Sequence, residues 1–126
     1  METKQEGCAC EGAPRLVFPC SGAADVGEIA DRAARRLARE GAARMFCLAG
    51  IGGRVSDILE STKAASDILV IDGCLADCAR KTLELAGYGS FRHLRITDHG
   101  MEKGKSPATG ENINSIVTKG RELLAT

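Results

Sequence analysis

DILVIDGCLADC, residues 67–78, is the stretch of sequence that decides the fold. After the initial Asp67, residues 68–71 form a short apolar run that is rich in β-branched side chains and has no polar alternation. Such a run is typical of a strand that is buried on both faces of a parallel sheet. From Leu75 to Ala86, apolar residues recur at intervals of three and four, which predicts an amphipathic helix that ends at Gly87. Cys74 and Cys78 therefore lie where a buried strand gives way to a helix.

The rest of the chain repeats this alternation of strands and helices. Asp25, followed by Glu28, resembles a capping box and predicts the start of the first helix, which ends at Gly41. A long polar loop, residues 98–112, precedes the last helix, and long loops in compact domains are often functional. The other predicted strands cover residues 15–19, 44–49 and 91–97, and the other predicted helices cover residues 55–62 and 113–124.

Four strands that alternate with helices predict a three-layer α/β sandwich, in which helices cover both faces of a four-stranded parallel sheet. We expect the strand order 2-1-3-4 of a flavodoxin-like or Rossmann-like fold. Residues 15–126 form the single α/β domain of this prediction, and the polar residues 1–14 form a flexible N-terminal tail. In that order the chain reverses between strands 1 and 3, and ligands bind outside the carboxyl ends of strands at such a point.

The composition excludes several classes of function. The 17 basic and 17 acidic side chains cancel, and aromatic residues make up 3% of the chain, so we expect no nucleic-acid partner. No apolar run approaches the roughly 20 residues of a membrane span, so we expect no membrane partner. Residues 1–14 lack the apolar segment of a secretory signal, which predicts a cytoplasmic protein. The six cysteines should therefore be reduced, which favours metal or redox chemistry over disulfides.

The predicted topology brings cysteines to one edge of the sheet. Cys20 follows strand 1, Cys74 and Cys78 follow strand 3, and Cys47 lies near the end of strand 2. Four thiolates at about 2.3 Å close a tetrahedral zinc site, whereas three with an open position suit a catalytic metal. Free cysteines also pack as small apolar residues, and the position of Cys47 inside a strand leaves open whether it faces the crevice or the core. Zinc is the cofactor that this set of residues predicts.

Two other functions stay open. A small thiol enzyme, active in redox chemistry or sulfur transfer, would use Cys74 as its nucleophile at the predicted helix start. Alternatively, the crevice binds a small molecule or a protein partner, and the cysteines only pack. The spacing from Cys74 to Arg80 matches the C-x₅-R of cysteine phosphatases, but the loop between them lacks glycine and contains Asp77, which would repel an oxyanion.

The two histidines and the N-terminal cysteines complete the candidates. His93 is predicted to be a surface residue of the edge strand. His99 begins the polar loop, from which it could reach the crevice as a ligand or a base. Cys8 and Cys10 fall in the predicted tail, where they offer a spare pair of soft ligands.

The combined motifs resemble a known family. Pro19-Cys20-Ser21-Gly22, Cys47-Leu48-Ala49-Gly50-Ile51-Gly52 and Asp72-Gly73-Cys74 with Cys78 are similar to the DGC-domain family of small bacterial and archaeal proteins proposed to bind zinc. The resemblance covers the chain from about Leu16 to the last helix, and it implies that Cys20, Cys47, Cys74 and Cys78 are the metal ligands. The cellular role of that family is undefined, so the resemblance implies a site and not an activity.

Overall fold

The computed structural model describes residues 14–126, and four parallel strands form its central sheet. The strands are β1 (Arg15–Pro19), β2 (Arg44–Met45), β3 (Asp67–Asp72) and β4 (Arg92–Arg95). Their order is β2-β1-β3-β4, which confirms the predicted order. Val17 on β1 pairs with Met45 of β2 on one side and with Leu69 of β3 on the other. Strands β1 and β3 thus lie side by side at the centre.

Helices cover both faces of this sheet, which confirms the three-layer α/β architecture. The helices are α1 (Asp25–Arg39), α2 (Leu48–Gly52), α3 (Ser56–Lys63), α4 (Cys78–Leu85) and α5 (Gly110–Ala125), with a 3₁₀ turn at Ile96–His99. Val17 and Leu69 pack with α1 and α5, whereas Phe18 and Val70 pack with α2 and α4. Because successive strand residues point to opposite faces, burial on both faces requires the unbroken apolar run of β3.

The second strand is shorter than predicted. Residues 44–49 were expected to form it, but β2 ends at Met45, and the glycine-rich exit forms the unpredicted helix α2. The strand lies at the sheet edge and pairs only with β1 among the described strands, so little holds the chain extended. Gly50 faces Ile58 of α3 so closely that a Cβ at this position would clash with that side chain. The glycines therefore allow α2 and α3 to pack together.

The helix after β3 begins later than predicted, at Cys78 and not at Leu75. Leu75 is 74% exposed and belongs to the segment that links β3 to α4. Asp77, the residue before the helix, has a left-handed backbone (φ 52°). A right-handed helix cannot continue back through that residue, so Cys74 and Cys78 do not share a helix face as their spacing predicted.

The long polar loop is fastened to the start of α1. Ala24, and not Asp25, is the N-cap, so the predicted capping box does not form. The Asp25 carboxylate instead accepts hydrogen bonds from the backbone amides of Gly104 (2.9 Å) and Ser106 (3.1 Å), besides that of Val26 (2.8 Å). The hydrogen bond from the Gly104 amide is the main reason that the pKa of Asp25 lies below its ordinary value.

The amino-terminal region lies mostly outside the described residues. The tail predicted for residues 1–14, with Cys8 and Cys10, falls there except for Pro14. The Pro14 carbonyl accepts a hydrogen bond from the amide of Ser66 (3.0 Å). Within residues 14–126, no helix has both the length and the apolar character that a bilayer crossing demands.

Candidate functional site

All four cysteines among the described residues lie at the carboxyl edge of the sheet, and all are free thiols. Cys20 directly follows β1, Cys47 is the N-cap of α2, and Cys78 is the first residue of α4. Cys74 lies two residues after β3. Because β2 is short, Cys47 is exposed in the turn after the strand and not buried within it. The topology therefore places every predicted ligand at the predicted edge.

Cys20 has the most enclosed environment at this edge. It contacts the apolar cores on both faces of the sheet, and its backbone amide bonds to the carbonyl of Ile71 (2.9 Å). Burial is the main reason that the pKa of the Cys20 thiol is raised, while hydrogen bonds from the backbone amides of Gly22 and Gly73 act in the opposite direction. The charges of Asp72 and Cys78 raise this pKa further. Cys20 is thus within electrostatic reach of the segment that follows β3.

Glycines allow the backbone to approach Cys20. A Cβ at Gly73 would lie 2.9 Å from the carbonyl carbon of Val26 and 3.0 Å from the nitrogen of Gly27. A Cβ at Gly27 would in turn lie 2.5 Å from the carbonyl oxygen of Gly22. Such distances leave no room for a side chain, and the obstructing atoms are backbone atoms that cannot rotate away. The exits of β1 and β3 therefore contact the start of α1 through backbone atoms, close to Cys20.

Asp72, at the end of β3, supports the start of α4. The side chain is 1% exposed. Its Oδ1 accepts a hydrogen bond from the amide of Ala79 (2.8 Å), and its Oδ2 accepts one from the amide of Arg80 (3.0 Å). Helix N-termini leave such amides without intrahelical partners, so the carboxylate satisfies two of them. Oδ2 also lies 2.9 Å from Nε2 of His93 on β4.

Asp77, at the other end of the linking segment, is paired with Arg95 of β4. Its two carboxylate oxygens accept hydrogen bonds from Nε (2.9 Å) and Nη2 (2.6 Å) of Arg95, a bidentate arrangement. Arg80 adds a contact of 3.3 Å from Nη2 to Oδ2. The Arg95 hydrogen bond is the main reason that the pKa of Asp77 is lowered, and Asp77 raises the pKa of Arg95. The carboxylate is 4% exposed and ionised.

His93 is therefore not the surface residue that the sequence predicted. Its side chain is 18% exposed, and Nε2 lies 3.7 Å from Asp77 Oδ1 in addition to its contact with Asp72. Leu94, on the opposite face of β4, belongs to the core under α1 and α5, so His93 and Arg95 point toward α4. The polar positions of this strand could be read from the sequence, but the carboxylates that meet them come from the end of β3 and from the residue before α4.

The described part of the chain contains one group of three potential metal ligands whose donor atoms all lie within 4.8 Å of one another: Asp72, Asp77 and His93. Both oxygens of each carboxylate already accept hydrogen bonds, and Arg95 and Arg80 bring two positive charges to Asp77. A divalent cation would have to displace those arginines or bind against their positive charge. The negative charge of the carboxylates is therefore already balanced without a metal ion. His99 is exposed at the end of the 3₁₀ turn and does not belong to this trio.

The cysteines are grouped more loosely. Among residues 14–126, no three of their sulfur atoms lie within 4.8 Å of one another. In a tetrahedral zinc site with Zn–S bonds of about 2.3 Å, sulfur atoms are about 3.8 Å apart. The donor atoms suit zinc, but a tetrahedral site needs the four sulfur atoms closer together than they lie in this structure.

A cleft of about 580 Å³ opens beside Cys20 and Cys47. Its walls include Met45, Phe46 and Arg35, whose guanidinium is paired with Asp31 (2.7 Å). A second cleft, of about 600 Å³, lies at the opposite edge between Thr62 and Arg92 and contains no cysteine or histidine. Of these two clefts, only the first combines space with reactive groups.

The fold and this edge define a small doubly wound α/β protein with four thiols at the carboxyl end of its sheet. A family model described as the DGC domain matches residues 16–119, so the chain belongs to the DGC-domain family, as its motifs indicated. Over 88 residues the chain is 35% identical to the anaerobic and virulence modulator AnvM of Pseudomonas aeruginosa. That alignment covers 70% of this chain and 67% of AnvM. No solved structure matches the chain.

Proposed function

We propose that this DGC-domain protein binds zinc through the thiolates of Cys20, Cys47, Cys74 and Cys78. The observation that carries the proposal is the position of these four residues, which follow three adjacent parallel strands at one edge of the sheet. Zinc is the common divalent ion that accepts an all-thiolate, tetrahedral ligand set. The free thiols suit a reducing compartment such as the cytoplasm, where cysteines do not form disulfides and are available as metal ligands.

Cys20 is the anchor of the proposed site. It is half-buried and packs against both core clusters, whereas Cys74, also half-buried, packs against one of them and Cys47 and Cys78 are exposed. Hydrogen bonds from the amides of Gly22 and Gly73 would stabilise its thiolate once a metal ion replaces the proton.

The test is the metal content of the full chain, purified under reducing conditions without added metal. We expect about one zinc per chain, proton release on binding, and an affinity that falls as pH drops, because protons compete for the thiolates. Cys20→Ser and Cys74→Ser should each remove most of the metal, whereas Cys8→Ser and Cys10→Ser serve as matched controls that should retain it. A fully reduced protein that takes up neither zinc nor cobalt would overturn the proposal.

A thiol enzyme is the second candidate, favoured by the cleft beside Cys20 and Cys47. Its volume of about 580 Å³ accommodates a small molecule, which a purely structural metal site does not need. The argument for Cys74 as nucleophile is weaker than the sequence indicated, because the helix begins at Cys78 and the carboxylate of Asp72 already occupies two of its amides. Stoichiometric alkylation of one cysteine without loss of metal would favour this candidate.

A further inference from the structure

We propose that His93 and Arg95 are positioning residues for the thiol edge. Acting through Asp72 and Asp77, they hold the linking segment, residues 73–77, so that Cys74 and Cys78 stay beside Cys20. The inference deepens the proposed function and rests on it wherever metal affinity is concerned.

The linking segment has little structure of its own. Its residues form no helix or strand, and only one backbone hydrogen bond joins two of them, from the amide of Asp77 to the carbonyl of Cys74 (3.1 Å). A buried carboxylate terminates it at each end: Asp72 closes β3, and Asp77 precedes α4. The path of the segment is therefore fixed from its ends.

Strand β4 supplies the partners for both ends. His93 and Arg95 are two positions apart, so their side chains project from the same face of the strand. Nε2 of His93 lies 2.9 Å from Asp72, and Arg95 binds Asp77 with two nitrogen atoms. Bidentate guanidinium–carboxylate pairs fix direction as well as distance. One face of the edge strand thus holds both ends of the cysteine-bearing segment.

The link to the thiols follows from chain connectivity. Cys78 is bonded directly to Asp77, and Cys74 is separated from Asp72 only by Gly73, whose amide helps to lower the pKa of the Cys20 thiol. A shift of either carboxylate would therefore move a thiol or a donor to a thiol. Groups that orient metal ligands in this way contribute to affinity although they do not touch the metal.

The chain contains a matched control. Asp67 and Arg92 pair the same two strands, β3 and β4, at the opposite edge of the sheet, with Nε 3.3 Å from the carboxylate. This pair is also partly buried and joins an aspartate to an arginine, but it lies far from the cysteines. Removing it should disturb the sheet without disturbing the thiol edge.

The experiment compares Asp77→Asn and Arg95→Lys with Asp67→Asn and Arg92→Lys, each in the full chain. Asparagine tolerates the left-handed backbone of residue 77, and lysine keeps the charge at residue 95 but cannot form the bidentate pair. Zinc affinity is measured by competition with a chromophoric chelator. We expect a loss of roughly 10- to 100-fold for Asp77→Asn and a smaller loss for Arg95→Lys. The control variants should bind as the wild type does, and equal losses in both pairs would overturn the inference.

A second readout does not depend on metal. In metal-free, reduced protein, the alkylation rate of each cysteine is measured by peptide mass spectrometry. Asp77→Asn should accelerate the alkylation of half-buried Cys74 several-fold relative to Cys47, which belongs to a different element, and Asp67→Asn should not. If the wild type binds no zinc, the proposed function fails and these rates alone decide the inference. Unchanged rates in a folded Asp77→Asn variant would contradict the inference. If Asp77→Asn does not fold, the same measurement on Arg95→Lys decides it.

Discussion

At the scale of single residues, the edge depends on glycines as much as on cysteines. Gly73 has Val26 and Gly27 backbone atoms within 3.0 Å of where a Cβ would lie, and its amide helps to lower the pKa of the Cys20 thiol, which burial raises. The Asp-Gly-Cys motif therefore combines three roles: a carboxylate that caps α4, a backbone position without a side chain, and a thiol.

We predict that Gly73→Ala is destabilising and perturbs Cys20. The added methyl group forces the exit of β3 away from α1, and overpacking of this kind costs about 1–3 kcal/mol of unfolding free energy. Urea denaturation measures this loss. Gly89→Ala is the control, because no atom lies within 4 Å of its Cβ position. Equal stability of the two variants would show that the backbone at residue 73 yields easily.

Residue chemistry was only partly predictable from the sequence. Cys20, Cys74 and Cys78 could be assigned to one edge because each follows a recognisable strand, and parallel strands share their carboxyl edge. Cys47 was predicted to lie inside strand 2, so its side could not be assigned. The contacts of Asp72 and Asp77 with His93 and Arg95 could not be predicted, since they join residues about 20 positions apart through side-chain geometry that no periodicity encodes. Asp77 could be identified only as a nearby negative charge.

At the scale of elements, local pattern predicted the strong elements and failed at the weak ones. The buried strand β3 was predicted within one residue because its burial on both faces leaves an unbroken apolar run. Strand β2 was overestimated because residues 45–49 are apolar for another reason: Phe46 and Leu48 lie beyond the end of β2 and pack against the core cluster that contains Ile51 of α2. Asp25 was predicted to cap a helix, but its carboxylate accepts hydrogen bonds from the loop at residues 104–106.

We predict that Asp25→Ala loosens that loop without unfolding the domain. The amides of Gly104 and Ser106 lose their acceptor, so their hydrogen exchange should accelerate by at least about tenfold, as expected for local opening. Native-state exchange followed by NMR measures the effect. Asp57→Ala is the control, because Asp57 is also an acidic residue in the first turn of a helix but is exposed. Equal acceleration in both variants would mean that helix charge, and not the tether, orders the loop.

At the scale of the whole molecule, the buried ion pair of Asp77 and Arg95 makes stability depend on pH. The folded-state pKa of Asp77 lies below the ordinary value of about 3.9, so the pair contributes its full stability above that value. As pH falls from there toward the lowered folded-state pKa, the unfolded chain takes up a proton first, and the contribution is lost. The basic side of the profile is unaffected by this carboxylate.

We therefore predict that Asp77→Asn flattens the acid side of the stability profile. Wild-type metal-free protein should lose unfolding free energy steeply below about pH 4, and the variant should be less stable at neutral pH but lose less on acidification. Urea denaturation at a series of pH values measures both curves. Asp57→Asn, at an exposed position, should follow the wild type. Parallel curves for the wild type and Asp77→Asn would contradict the role assigned to the pair.

The central claim is that cysteine thiolates, and not the nearby carboxylates and histidine, hold the metal. X-ray absorption at the zinc edge of the purified, zinc-loaded chain tests it most directly, because the inner ligands are distinguished by their distance and scattering strength. The account predicts a shell of sulfur atoms at about 2.3 Å, with four sulfurs per zinc. A shell of nitrogen and oxygen atoms at about 2.0–2.2 Å would place the ion at Asp72, Asp77 and His93 and would contradict the account.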